Sequence, residues 1–555
     1  MWVYGDRSRR LKPRAALRTL TATLRDVETG AAGPARHDRL TTAFLQAAEL
    51  AQGIADAEFA AKGCDDLSPA QDAAMALLIA LARKLAASAW SEFVTVGPPT
   101  SAELLALALS ALPDEVEVKT PEGHAFYAVY PEAYLKAAAE QPWASPPLVI
   151  GIRSIGAGLA ALVAAVTNAA GVATLRPMGH PFRREVRAGE ALRRRLAAHA
   201  GPFAIVGEGP GLSGSSFGAA ADLLESLGVS SDRVVVLPSH ANDLGPEARP
   251  EHRARWASAA KRPATLESLL ADEPLAGWFE DLTGPIVAVE DLSGGAWASG
   301  RLDTPPTHGS FERRKFRLTT EKGAWLARFA GLGAFGEAKY GRARTLARAG
   351  AGPEPLGLRR GFLIERWVEG SPGPDVDRPA MIEHVGRYLG LRAVAFPAED
   401  GAGASLEDLA VMARTNLAEL GLDAARVPAP PPQEAVKPVH IDGRLHRWEW
   451  LTTPDGRLIK TDAVDHSVAH DLVGCQDIAW DVAGARLELG FDAAETQRLC
   501  AAVASVCDRP VAPALLAFYE VAYPAFQAGL WTLAGDAAQV ARYRAALARS
   551  LRSSL

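Results

Sequence analysis

The sequence predicts a multidomain chain of α/β and α+β type in three main parts. These are a helical N-terminal region, a domain built on a parallel sheet, and a two-lobed domain of strands followed by helices. Three observations carry this expectation. Apolar residues recur at helical spacing over residues 1–95. From residue 147, short apolar runs alternate three times with helix-like stretches, the pattern of βα units on a parallel sheet. After residue 283, four strand-like runs precede a His- and Asp-rich stretch and a mainly helical remainder.

Element by element, "RHDRLTTAFLQAAELAQGIADAEFAAKG" and "SPAQDAAMALLIALARKLAASAW" read as helices, the second opened by Ser68 and Pro69. "EFVTVG", "EVEVKT" and "AFYAVY" read as short strands bounded by Pro, Gly and Asp. The alternation then runs "PLVIGI" with a helix over 158–169, "VATLRPMG" with a helix over 188–199, and "PFAIVGEG" with a helix over 217–227, closing on "DRVVVLPS". This places an α/β domain at 96–240 and a polar, Pro-containing helical connector at 241–282. In the third domain (283–555), "PIVAVEDL", "RRKFRLTT", "AWLARFAG" and "GFLIERWVEG" read as strands and "GEAKYGRARTLARAG" as a helix. "VPAPPPQEAVKP" reads as an extended surface segment. No internal repeat is evident.

Composition narrows the classes. At 555 residues the chain is long enough for roughly three or four domains of about 100–200 residues. With 48% hydrophobic and 22% charged residues it can bury ordinary cores. A net charge of −6 argues against sequence-independent nucleic-acid binding, which needs a basic surface. Cys64, Cys475, Cys500 and Cys507 form no CxxC pair, so a disulfide framework or zinc site has little support. The basic start "MWVYGDRSRRLKPRAALRTL" lacks the apolar core of a signal peptide. "LVIGIRSIGAGLAALVAAV" comes nearest to a membrane span, but Arg153 and its glycines interrupt it. A cytoplasmic protein of small-molecule partners, with no membrane or nucleic-acid partner, is the expectation; nothing in the sequence bears on oligomeric state.

Two stretches after strands suit anion binding. In "GIRSIGAG" (151–158), glycines including Gly156 admit a close ligand and Arg153 supplies a cation. In "IVGEGPGLSGSS" (205–216), Gly211, Gly214 and three Ser hydroxyls, Ser213, Ser215 and Ser216, lead into a helix N-terminus. Glu208, just before, can accept hydrogen bonds from a vicinal diol. The bland alternative is a structural strand-to-helix turn with Ser capping the helix.

The order of these parts resembles the type I phosphoribosyltransferase family, over roughly 100 residues. The resemblance implies that Ser213, Gly214, Ser215 and Ser216 cradle a ribose 5-phosphate and that Glu208 takes the ribose hydroxyls at the reacting centre. It also implies that Arg153 and one of Arg183, Arg184 or Arg187, in the hood-like "RPMGHPFRREVRAG", face the pyrophosphate of phosphoribosyl pyrophosphate, commonly with Mg²⁺. Gly207 stands where that family carries a first acidic residue, and "GPG" is inserted.

The stretch 439–485 concentrates His and carboxylates. A metal centre drawn from His440, Asp442, His446, Asp462, His466, His470 and Asp471 is one reading, without a sharp zinc spacing. A phosphoryl-transfer site, with one carboxylate at the acceptor hydroxyl and another on Mg²⁺, is a second. Buried polar networks and turns are the third. The segment resembles the aminoglycoside phosphotransferase and choline kinase-like family, with its kinase-like fold. That likeness implies Asp442 as catalytic base or hydroxyl-orienting residue and Asp462 as Mg²⁺ ligand. Asp477 or Asp481 would then support the catalytic turn, and ATP would be co-substrate. The Asn expected there is absent, with Glu449 nearby as a candidate cation ligand. The phosphate-binding Lys is replaced by Arg328, with Lys315 as the other candidate and Glu337 as a partner. "EDLSGGAWASG" is a candidate Gly-rich turn over the nucleotide.

His124, Tyr127, Tyr130 and Tyr134 could stack on a ring, though core packing is the commoner use. The combined expectation is a transferase fusion that joins phosphoribosyl transfer to ATP-dependent phosphorylation of a ribosylated or nucleotide-like metabolite. The alternatives are a regulatory protein whose degenerate sites bind phosphoribosyl pyrophosphate or nucleotide, and a metal-dependent hydrolase.

Overall fold

The computed structural model describes residues 8–299, 305–373, 377–468 and 472–553. The chain opens with β1 (Ser8–Leu11) and the helices α1 (Pro13–Thr29), α2 (Pro34–Lys62), α3 (Pro69–Trp90) and α4 (Ser101–Leu109). As expected, Pro69 opens α3, and the Ser68 hydroxyl accepts from Gln71 N–H at 3.2 Å. "EFVTVG" is not a strand: Glu92 and Phe93 take φ of 51° and 68°, ending α3 in a turn. Helix α3 is long and apolar enough to cross a membrane, with mean hydropathy 1.4 over its best window, yet half of that window is buried inside the protein. Strand β2 (Val116–Lys119) pairs antiparallel with β1. "AFYAVY" is helix α5 (Glu122–Phe126) followed by a turn at Ala128, φ 52°.

Next come α6 (Pro131–Glu140), β3 (Leu148–Ile152), α7 (Gly156–Thr167), β4 (Gly171–Leu175), the hairpin β5 (Met178–His180) and β6 (Arg183–Glu185), and α8 (Glu190–Ala198). They are followed by β7 (Phe203–Val206), α9 (Ser215–Ser226), β8 (Val234–Leu237), α10 (Pro250–Ser258) and β9 (Ala260–Lys261). The sheet β4-β3-β7-β8-β9 is parallel throughout, as the βα alternation predicts. Its strands β3, β7 and β8 read as unbroken apolar runs because both faces are covered. Val149, Ala204, Val206 and Val235 face a core shared with α2, α3 and α7. Ile150, Phe203, Ile205 and Val236 face Leu196, Phe217 and Trp256.

Packing and strand pairing cross two of the boundaries drawn from the sequence. The N-terminal helices α1, α2 and α3 share one core with α7. Segment 241–282 is more than a connector, because β9 pairs with β8 and completes the parallel sheet.

After the short helices α11 (Leu266–Leu270) and α12 (Glu280–Thr283), an antiparallel lobe forms from β10 (Ile286–Asp291), β11 (Lys315–Thr320), β12 (Gly323–Phe329), β13 (Pro355–Arg359) and β14 (Phe362–Arg366). Its order is β10-β11-β12-β14-β13, with α13 (Ala334–Arg348) between β12 and β13. The chain then passes through β15 (Ser371–Pro372) into a helical lobe of α14 (Arg378–Ala395), α15 (Leu406–Glu419), the hairpin β16 (Trp450–Thr452) and β17 (Leu458–Lys460), α16 (Ala479–Glu488), α17 (Ala493–Cys507), α18 (Pro513–Leu533) and α19 (Ala537–Ser553).

The two halves pack on each other. One apolar core runs from Leu17 to Phe362 and Ile364 of the strand lobe. Tyr130 donates its hydroxyl to the Arg360 carbonyl at 2.7 Å, and the Arg360 guanidinium lies 3.6 Å from the centroid of Trp278. Leu332 N–H donates to the His124 carbonyl at 2.9 Å, which ties α5 to the loop before α13.

Candidate functional site

Two places collect the residues singled out in the sequence. The first is the turn between β7 and α9, where Gly211 and Gly214 take φ of 56° and 58°. The β5–β6 hairpin lies on this turn. Ser213 Oγ donates to the Pro181 carbonyl at 2.8 Å, Ser215 Oγ bonds the same carbonyl, and Arg184 donates to Ser216 Oγ at 2.9 Å. The three hydroxyls are therefore held by the hairpin, while Arg183 is exposed. Glu208 lies against α5, so close that a Cβ on Gly123 would come within 3.0 Å of its carboxyl carbon. The absence of a second acid has a packing reason: a Cβ at Gly207 would meet the Phe217 ring at 2.9 Å.

Arg153 does not face this turn. Its side chain is fully buried, with Nε donating to Asp56 at 2.9 Å, Nη1 to Thr174 at 2.7 Å and Nη2 paired with Asp65. Arg176 shares Asp56. The expected pyrophosphate cation is thus used to fasten the N-terminal helices to the sheet. Gly156 has a structural duty too, since a Cβ there would press on Gly151 and the Val206 carbonyl at 3.2–3.3 Å. Asp56 and Asp65 carry no local signal; they sit in an ordinary helical stretch and its exit.

The second place lies between the strand lobe and the helical lobe. A cleft of about 400 Å³ is bounded by Trp297, Leu326, Trp367 and Trp448, with Lys315, Arg328 and Asp462 inside it. That volume suits a small organic ligand. A smaller cavity of about 60 Å³ adjoins it and shares Lys315, Arg328, Arg444 and Asp462. Trp297, from the Gly-rich "EDLSGGAWASG" turn, donates to Glu312 at 3.1 Å, and Lys315 pairs with Glu312 at 2.8 Å.

Arg328 donates Nε to Glu365 at 2.8 Å, pairs with Asp465, and reaches Asp462 at 3.5 Å. Glu337 is exposed on α13 and is not its partner. Helix α13 turns Lys339 inward instead, 2.7 Å from Asp465. Lys339, Glu365 and Asp465 were not anticipated. Glu365 was within reach of a register argument, because Arg328 lies opposite Leu363, two residues away on the same face.

Asp442 is completely buried, and it does not open on the cleft. Lys460 Nζ lies 3.3 Å from it, Tyr388 donates its hydroxyl to it, and Arg392 is 3.8 Å away. Asp481 accepts from the backbone N–H groups of Asp442 and Gly443 at 2.7 and 2.9 Å, holding the turn. Asp477 accepts from the Lys437 and Ala479 backbone and from Arg509. Two residues beyond Asp442, Arg444 reaches the cleft.

Burial pushes Glu449 up to about 7, against the pull of Lys460 at 2.8 Å and Arg444 at 3.6 Å. Burial likewise lowers His446 to about 4 and His466 to about 3, so both are neutral near pH 7. Burial opposes ionisation of Asp462 too. The cations Lys315, Arg328 and Arg444 overcome it and hold the carboxyl below the usual range, while His466, 3.7 Å away and neutral near pH 7, adds no charge.

The His/Asp stretch does not converge on a metal centre. His440 contacts Ser467 and Cys475, and His446 contacts Tyr543 and lies 3.7 Å from Glu488. Among the described residues no three His, Cys, Asp or Glu side chains are grouped to hold an ion. His470 and Asp471 lie outside the described residues. For Mg²⁺, which takes one or two carboxylates plus phosphate oxygens and water, Asp462 fits: it is ionised and 29% exposed. Glu449 does not fit, because Lys460 occupies its Oε2.

No protein-family model matches the chain, and no curated protein matches it either. Solved structures do match in part. The choline kinase LicA from Streptococcus pneumoniae matches at 16% identity over 52% of this chain and 99% of that one, with a TM-score of 0.32. The macrolide 2'-phosphotransferase MphH from Brachybacterium faecium matches at 18% identity over 51% and 97%, with a TM-score of 0.32. An ethanolamine kinase from Plasmodium vivax matches at 11% identity over 61% and 95%, also with a TM-score of 0.32.

Proposed function

We propose that the C-terminal half is a nucleotide-dependent phosphotransferase module acting on the hydroxyl of a small molecule. The observation that carries this reading is Asp462, ionised at the junction of cleft and inner cavity, with Lys315 and Arg328 beside it. ATP lies in the cleft with its base toward Trp367 and Trp448 and its phosphates toward Lys315 and Arg328. When bound, Mg²⁺ neutralises phosphate charge, and Asp462 is the residue that holds it. The acceptor oxygen forms a bond to the γ-phosphorus, the bond to the β–γ bridging oxygen breaks, and ADP leaves while the hydroxyl proton passes to solvent. Such a transfer asks mainly for positioning and charge neutralisation. Asp442 acts here as a positioning residue that shapes the turn presenting Arg444.

Calorimetry with ATP, with and without Mg²⁺, tests the reading. The Mg²⁺-dependent part of the affinity is expected to disappear in Asp462→Asn, and ADP release is expected to depend on an added acceptor. Equal affinity in wild type and variant under both conditions refutes it. A second reading, nucleotide binding without transfer, is favoured by the closure of Asp442 under Lys460; tight ATP binding with no ADP release under any acceptor would decide for it.

In the parallel-sheet domain we propose a sugar-phosphate site at Glu208 and residues 213–216, reached when the β5–β6 hairpin lifts from the turn. The Gly/Ser turn at the start of α9 supports this. A thermal shift with phosphoribosyl pyrophosphate checks it, and the absence of any shift where ATP gives one sinks it.

A further inference from the structure

The inner cavity beside Asp462 is built for a charge opposite to that of an amine. Its polar walls bring Arg313, Lys315, Arg328 and Arg444 against Glu312, Asp462 and Asp465. Two of those carboxylates are already engaged, Glu312 by Lys315 and Asp465 by Lys339 and Arg328. The third, Asp462, is left with Arg328 at 3.5 Å and the fields of Lys315 and Arg444. Among the described residues Arg313 has no carboxylate partner. Its guanidinium instead stacks 5.1 Å from the Phe126 centroid and 5.7 Å from that of Tyr127, held there by two rings of the parallel-sheet half. The rest of the wall includes the apolar Phe311, Leu472, Phe526 and Trp531 together with His446 and His466, which burial keeps neutral near pH 7. A cavity of about 60 Å³ admits a single head group, not a whole metabolite.

We infer that this cavity takes the anionic head group of a small hydroxylated metabolite, a phosphate or carboxylate anchored by Arg313, and that it excludes amines and quaternary ammonium ions. The inference rests on the phosphotransferase reading for the meaning of the site, and on Arg313 for its chemistry. Head group in the inner cavity and nucleotide in the adjoining cleft place Asp462 between them. Arginine suits the role because its planar fork pairs with carboxylate and phosphate oxygens in a fixed geometry. An ammonium ion in the same space would meet Arg313, Lys315, Arg328 and Arg444, with Asp462 the one carboxylate among the cavity's described residues that has no cation closer than 3.5 Å.

The experiment titrates the full chain by calorimetry, with Mg²⁺ and saturating AMP-PNP, using glycerol 3-phosphate and glycerate as anionic probes and choline as the cationic one. At least one anion is expected to bind, weakened about tenfold or more by Arg313→Gln and less by Arg313→Lys. Choline is expected to give no heat. Binding of choline, silence of both anions, or equal anion affinity in wild type and Arg313→Gln overturns the inference. The lysine variant keeps the charge and separates loss of the anchor from loss of fold, and far-UV circular dichroism is recorded for both variants. If AMP-PNP itself does not bind, the nucleotide reading fails. The anions are then titrated without nucleotide, and the Arg313 comparison still decides between anion and cation.

Discussion

Lys460→Met removes a buried ammonium that lies against three oxygen acceptors at once. Lys460 is wholly buried, and its ammonium lies 3.3 Å from Asp442, 2.8 Å from Glu449 and 2.7 Å from the Thr461 carbonyl. Its three N–H donors thus meet three acceptors, and the methionine side chain, of similar length, meets none of them. Removing one member of a buried ion cluster costs about 3–5 kcal/mol, because the partners are left charged and dry. Two features pull the expected value to the low end. Glu449 already ionises only near pH 7, so it can take up a proton cheaply, and Asp442 keeps Tyr388 and Arg392. We expect a loss of about 3 kcal/mol at pH 7. At roughly 2–4 °C per kcal/mol, this lowers the melting transition of the C-terminal half by about 6–12 °C. Scanning calorimetry reads this, with the double variant Lys460→Met/Glu449→Gln expected to recover part of the loss. A shift under 2 °C, or no recovery in the double variant, would refute the claim that Lys460 balances these carboxylates.

Glu449 also makes stability fall with pH. Its folded value, about 7, lies above the ordinary 4.5, so the folded chain binds more protons than the unfolded one across that window. Stability is expected to decline between about pH 4.5 and 7, by roughly 3 kcal/mol from this residue. Urea unfolding across that range should show the decline, and Glu449→Gln should flatten it. Gly207→Asp, which restores the second acid of the β7 turn, should destabilise by roughly 1–3 kcal/mol from overpacking on Phe217 alone. A thermal shift that leaves the melting point unchanged would show that the turn has room for the acid.

Strands β3, β7 and β8 were legible because a strand covered on both faces must be apolar at every position, and that is a local property of four or five residues. The opening of α3 at Ser68 and Pro69 was legible for a similar reason: a cap is chosen by its own backbone. The short runs at 92–97 and 125–130 misled because their apolar residues serve a helix end and a buried turn; Tyr130 and Tyr134 are core residues with bonded hydroxyls.

Charge partners could not be read in the same way. Position after a strand nominated Arg153, and the resemblance to the phosphotransferase family nominated Arg328, Asp442 and Asp462. Which of them faces a ligand is decided by partners far along the chain. Arg153 is claimed by Asp65 across 88 residues, Arg328 by Asp465 across 137, and Asp442 by Tyr388 across 54. Arg313 drew no notice in sequence, and it is placed by Phe126 and Tyr127 of the other half. Sequence by itself determined most of the elements and the parallel sheet, because period and turn chemistry act within a few residues. Tertiary structure alone decided which charges are spent inside the protein and which meet the cleft, because a buried charge takes whatever opposite charge the fold brings within about 4 Å.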